Sequence, residues 1–127
     1  MSETQMSRIT GVRTVGIPVT DQDRALAFYA GTLGFETRLD QPLGEGRRWI
    51  EVAPAGATVS LALERAHDGH RAGVETGVRL VAVDVDVTHA SLRSAGVDAD
   101  EVLRWPGVPP MFAFRDQDGN GLEIVEA

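Results

Sequence analysis

The pattern of apolar and polar positions changes period along the chain in an order that occurs twice. Over residues 12–19 the two kinds alternate, with Val15, Ile17 and Val19 on one face and Thr14, Gly16 and Pro18 on the other, which predicts a strand buried on one side. Pro18 has no amide to donate, so this strand belongs at an edge or ends nearby. In TDQDRALAFYAGTLGFE the apolar residues Ala25, Leu26, Phe28, Tyr29 and Leu33 recur at helical spacing, with Thr20 or Asp21 to cap the helix and Gly34 to stop it. Residues 35–39, 48–52 and 58–63 then read as three short strands, joined by the turn-rich segments QPLGEG and APAG.

After the polar stretch ERAHDGHRAGVETG, read as a linker or mobile loop, the same order returns. Residues 78–85 are strand-like, VDVTHASLRSAGV predicts a second helix ending at Gly96, and residues 111–114 and 121–125 are strands joined by the turn sequence DQDGN. The spacing agrees, with 22 residues from Gly34 to Gly56 and 23 from Gly96 to Gly119. Each half is too small to bury a core alone, so the two are expected to pair into one curved sheet, with helices outside and a concave face left for a ligand.

Composition narrows the function classes. A chain of 127 residues is one domain, or two very small halves sharing a core. No apolar run approaches the ~20 residues of a membrane-spanning helix, which makes a membrane partner unexpected. Residues 1–10 read as a frayed leader without the apolar centre of a signal peptide, so the expected location is the cytoplasm. The net charge of −7 opposes nucleic-acid binding, which depends on releasing counterions from phosphates. There is no cysteine, which removes disulfides, thiolate metal sites and thiol nucleophiles, and every one of the 12 basic residues is arginine, which removes Schiff-base chemistry.

Two segments carry a family resemblance. VTDQDRALAFYAGTLGFE resembles the opening strand and helix of the vicinal oxygen chelate superfamily, the group of glyoxalase I, bleomycin-resistance proteins and extradiol dioxygenases. FRDQDGNGLEIVE resembles its closing hairpin, with Gln117 where the family commonly has proline. The resemblance spans about residues 11–127. It implies an α+β fold of two βαβββ modules, at about 11–65 and 77–127, which form a cupped mixed β-sheet with helices on the outer face. It also implies a pocket within one chain or across a homodimer. Members that do chemistry hold one divalent metal on His and Glu of the first and last strands of each module, as a Lewis acid toward two adjacent substrate oxygens. Carried over by position, those ligands fall on Thr14, on Ser60, on Val78 or Arg79, and on Glu123. One of the four, Glu123, is a competent ligand, so no cofactor is expected and a divalent metal stays possible only there.

The remaining candidates follow from strand parity. Trp49 and Met111 are equivalent under the repeat and out of phase with the core-facing pairs Ile50/Val52 and Phe112/Phe114, which puts both on the concave face. Trp105 in LRWPGVPP would extend an aromatic lining, and Arg47, sharing Trp49's parity, is either a carboxylate or phenolate binder or a solvated edge residue. Glu123 is a residual metal ligand, a polar pocket group or a solvated strand residue. His67 and His70 belong to a solvated loop or to a lid over the cavity, and His89 to a helix surface. Asp116 to Asn120 is a hairpin turn without the length of a calcium loop. The expected small-molecule pocket therefore comprises Thr14, Arg47, Trp49, Ser60, Trp105, Met111 and Glu123, and the expected function is metal-independent binding of an antibiotic or aromatic metabolite. Two alternatives stand beside it. One is a metal-dependent lyase, isomerase or dioxygenase in which His67, His70 or Glu51 joins Glu123; the other is a structural or regulatory dimer with a vestigial pocket.

Overall fold

The structure is a computed structural model that describes residues 7–127; residues 1–6 of the expected leader lie outside the described residues. The first module runs β1 (Thr14–Val19), helix α1 (Gln22–Leu26), β2 (Glu36–Gly44), β3 (Arg47–Ala53) and β4 (Ser60–Arg65). The second runs β5 (Glu75–Ala82), α2 (Val85–Ser94), β6 (Asp98–Ala99), β7 (Met111–Arg115) and β8 (Gly121–Glu126). This is the α+β plan of two βαβββ modules. Each helix begins on an aspartate, Asp21 or Asp84, whose carboxylate accepts from the second and third backbone N–H groups after it. Asp21 rather than Thr20 caps α1, and the helix continues as a π-helical segment over Ala27–Thr32 in which Leu33 N–H reaches back five residues to Phe28 O. Gly34 and Gly96, with φ of 78° and 84°, follow the two helices.

Hydrogen bonding divides the expected single cupped sheet into two four-stranded sheets, ordered β1-β4-β3-β2 and β5-β8-β7-β6. In each, the strand before the helix runs parallel to the last strand of its module, and the other pairings are antiparallel. Two segments are more ordered than their composition suggests. Much of QPLGEG is strand, because β2 turns into β3 over Glu45 and Gly46 alone, both at positive φ, closing on the pair Gly44 and Arg47. The expected linker is shortened from both ends by β4 and β5, and His67 and His70 exchange two backbone hydrogen bonds of 3.0 and 2.9 Å within it.

One hydrophobic core serves both modules. Ile17, Val19, Tyr29, Ile50, Val52 and Leu63 from the first form a single buried cluster with Val85, Leu92, Phe112, Phe114, Leu122 and Ile124 from the second. The turn DQDGN, expected only to close a hairpin, fastens the modules across this core. Asn120, fully buried, donates through Nδ2 to Pro18 O at 2.8 Å and to Asp116 Oδ2 at 2.9 Å. Its Oδ1 accepts from Gly73 N–H and Val74 N–H at 2.8 and 3.1 Å. Tyr29 Oη donates to Asp116 Oδ2 at 2.8 Å, and Thr20 binds the Asp118 carboxylate through its amide and its hydroxyl. No helix among the described residues is long and apolar enough to cross a membrane.

Burial, reinforced by the Asp116 carboxylate, pushes the Tyr29 phenol well above its ordinary value of 10.0. The folded phenol stays neutral where the unfolded one ionises, so this part of the stability is present below pH 10.0 and is lost as pH rises beyond it. Tyr29 is the chain's one tyrosine. Phenolate absorbance should therefore stay flat as pH passes 10.0 and rise only together with loss of the far-ultraviolet dichroism; titration in the folded state would contradict the buried fastening. In denaturant melts, Asn120→Ala should cost about 3 kcal/mol, because it removes the hydrogen bonds that a fully buried side chain makes to both modules.

Candidate functional site

Strand alternation sets which side chains face away from the core. In β3, Ile50 and Val52 enter the core, leaving Arg47, Trp49 and Glu51 on the opposite, concave face. Glu51 is only 4% exposed. Its Oε2 accepts from the Trp49 indole N–H at 2.7 Å and from Arg13 Nε–H at 3.2 Å. Next to this arrangement lies a depression of about 560 Å³, whose lining includes Arg47, Trp49, Glu64, His67 and His70. The two histidines are thus held beside Trp49 by a tight backbone bridge rather than carried on a loose loop. Their ring centroids are 5.8 Å apart, and His70 Nε2 is 3.2 Å from Glu64 Oε1.

The second module repeats the parity. Phe112, Leu122 and Ile124 are buried, and Met111, Ala113 and Glu123 lie on the other face, where Met111 and Glu123 share a depression of about 390 Å³ with Asp100 and Leu103. At its edge the Arg115 guanidinium, hydrogen-bonded to Asp98 and Asp100, holds both carboxyls below the usual carboxylate range.

Parallel register places the four family positions in adjacent pairs, Thr14 beside Ser60 and Arg79 beside Glu123. Arg79, not Val78, is therefore the counterpart of the missing ligand, since Val78 packs against the core. Arg79 Nε–H donates to Glu123 Oε1 at 2.8 Å. Two hydroxyls, a guanidinium and a carboxylate already paired with it do not fit a divalent cation, which wants several anionic or imidazole donors. Among the described residues, no three His, Asp or Glu side chains come together as a metal-holding group.

The chain does not gather all seven expected lining residues into one hollow. Arg47 and Trp49 share one depression, Met111 and Glu123 another, and Trp105 lies outside both and is 64% exposed, on the loop between β6 and β7. A third, mostly apolar cleft of about 800 Å³ runs between the modules, lined by Val15, Leu61, Val78, Leu80 and the β3–β4 loop. His89 is not a free surface histidine, for it stands edge-on to Phe112 with centroids 4.9 Å apart and its Nε2 is 2.8 Å from Asp100 O. Glu51 as a hydrogen-bonded partner of Trp49 was missed, although RRWIEVA carries the signal: Glu51 is in phase with Trp49.

Residues 11–124 match the Glyoxalase/Bleomycin resistance protein/Dioxygenase superfamily. The fold resembles TnmS3, an antibiotic binding protein from Streptomyces sp. CB03234, at 35% identity and a TM-score of 0.85, over 94% of this chain and 98% of that one. A superfamily member from Sphaerobacter thermophilus DSM 20745 is similar at 35% identity and a TM-score of 0.87, with the same coverage. The uncharacterized protein YetH of Bacillus subtilis (strain 168) is 28% identical over 122 residues, covering 93% of this chain and 99% of that protein.

The two pairs on the concave faces should respond differently to substitution. Trp49→Phe takes a donor from a buried carboxylate and should lower stability by about 1.5 kcal/mol. Arg79→Ala breaks an ion pair open to water and should cost under about 1 kcal/mol. Chemical denaturation of the two variants checks the order, and the reverse order would contradict the assigned burial.

Proposed function

The chain belongs to the glyoxalase/bleomycin resistance protein/dioxygenase superfamily, and from that premise we propose that it is a metal-independent binding protein for a small antibiotic-like or aromatic molecule. The observation that carries this reading is the Arg79–Glu123 pair. A guanidinium fixed 2.8 Å from the one remaining carboxylate brings a permanent positive charge to the place where a divalent cation would need to approach. The similarity to TnmS3, whose description is that of an antibiotic binding protein, supports the same reading.

In this account the concave faces supply shape and apolar area. Trp49 offers a rigid aromatic surface and Met111 an adaptable, polarizable one, so a flat, partly apolar ligand gains from leaving water at roughly 25 cal/mol per Å² of apolar surface covered. Polar groups around them, among them Thr14, Ser60, Arg47 and Glu123, orient it. We further propose a cytoplasmic homodimer that takes neither nucleic acid nor membrane as partner. Each module carries a separate shallow depression, and Trp105, Leu103 and Val108 leave a substantial apolar surface on the β6–β7 segment. A second copy covering that surface would deepen the pocket. The enzyme reading calls for His67, His70 or Glu51 to join Glu123, and the histidines instead line the depression beside Trp49.

Metal content decides between binding protein and metalloenzyme. After incubation with nickel, zinc, iron(II), manganese and cobalt and gel filtration, tag-free protein should carry only background metal by plasma mass spectrometry, with Glu123→Ala unchanged. Near-stoichiometric metal that disappears in Glu123→Ala would overturn the proposal and restore the enzyme reading. In sedimentation experiments the wild type should run as a dimer, and Trp105→Glu should shift it to monomer.

A further inference from the structure

In a chain of net charge −7 most arginines find a carboxylate, as Arg48 does with Asp23 and Asp40, and Arg115 with Asp98 and Asp100. Among the described residues the guanidinium groups of Arg47, Arg65 and Arg71 pair with no protein group. These three are not scattered. Arg47 and Arg65 line the depression of about 560 Å³ beside Trp49, and Arg71 directly follows His70, which lines it too. A guanidinium keeps its charge throughout the physiological range and presents a planar fork of N–H donors, so two left unneutralised at one hollow favour an anion there.

The sheet geometry accounts for their meeting. The hollow lies where β3 begins and antiparallel β4 ends, so the first residue of one strand and the last of the other come to the same end of the sheet. Buried Gln22 ties the two strands there, donating through Nε2 to Arg48 O and to Leu63 O at 2.8 Å each. Arg48, the third arginine of the lining, is already held by Asp23 at 2.6 Å and Asp40 at 2.9 Å. Glu64, the one acid of the lining, is turned toward β1 and His70. Its carboxylate fills the space that a side chain at residue 16 would need, since a Cβ on Gly16 would lie 2.6 Å from Oε1, and the same oxygen is 3.2 Å from His70 Nε2. The depression around Met111 differs in charge. Its acids Asp100, Glu101 and Glu123 are each held by an arginine, so the uncompensated positive charge lies beside Trp49 alone of the two.

We infer, on the basis of the binding reading above, that the depression beside Trp49 is an anion subsite and that the molecule it takes is a flat aromatic ring system bearing a carboxylate or phenolate. Arg47 and Arg65 receive the anionic group and the Trp49 ring receives the aromatic one. Arg47 and Trp49 stand two residues apart on the same concave face, the spacing that lets one ligand meet both. The two arginines are thereby specificity-determining residues: they select an anion over a neutral or cationic molecule of the same shape.

The test is a calorimetric titration of the full-length protein with three probes of one shape and different charge: naphthoate, naphthamide and naphthamidine. The wild type should bind naphthoate at least about tenfold more tightly than naphthamide, with naphthamidine weakest. Arg47→Gln and Arg65→Gln should each reduce that preference and the double variant should abolish it, with naphthamide affinity unchanged throughout. Both side chains are exposed, so neither substitution disturbs the core. Equal binding of naphthoate and naphthamide by the wild type, or a preference that survives in the double variant, overturns the anion subsite while leaving the protein a binder of aromatic molecules. Absence of binding by all three overturns both.

Discussion

A buried amide has four hydrogen bonds to make, and where it makes them decides which parts of a chain must stay together. Asn120 makes all of its own with groups far away in sequence or across its own turn: the Pro18 carbonyl of β1, the Asp116 carboxylate, and the amides of Gly73 and Val74 at the entry to β5. Tyr29 closes the arrangement from the first helix through Asp116. Asn120 itself is fully buried, so separating the modules would leave its side-chain amide without these partners. The shared hydrophobic core supplies most of the favourable energy, but it is the polar fastening that fixes how one module sits against the other.

That fixed relation is what gives the concave faces their meaning. The two modules use parity in the same way, sending Ile50 and Val52, or Phe112 and Phe114, into the core, and Trp49 and Glu51, or Met111 and Ala113, outward. On the positions to which the family resemblance assigns metal ligands, the chain places two hydroxyls and a glutamate paired with Arg79. These faces also carry one aromatic ring, one thioether and the buried Glu51 carboxylate that holds the Trp49 indole N–H.

Much of this was legible in the sequence. Period-two alternation located every strand but the two-residue β6 and set β5 three residues too late, helical spacing located the helices, and DQDGN located its turn; these signals are local and each depends on a few neighbouring side chains. The parity that put Trp49 and Met111 on one face and their neighbours in the core follows from the same local rule. Other features depend on which strands become neighbours. Arg79 could not be told from Val78 as the counterpart of Glu123 until the parallel register of β5 and β8 was known. The fastening role of Asn120 needs the meeting of residues 102 positions apart, which no window of sequence contains. The exposure of Trp105 and the two-sheet division are likewise consequences of packing rather than of composition. Within the polar stretch ERAHDGH, composition suggested a loose loop, and the backbone bridge between His67 and His70 made it a defined turn.

We propose that this superfamily member recognises an organic molecule without a metal. Native mass spectrometry of the protein mixed with a library of flat aromatic compounds, in the presence of a strong chelator, addresses it most directly. Saturable complexes with one organic molecule per chain are expected, indifferent to the chelator and abolished by Trp49→Ala. Complexes that form only after a divalent metal is restored, or none that saturate, would contradict it.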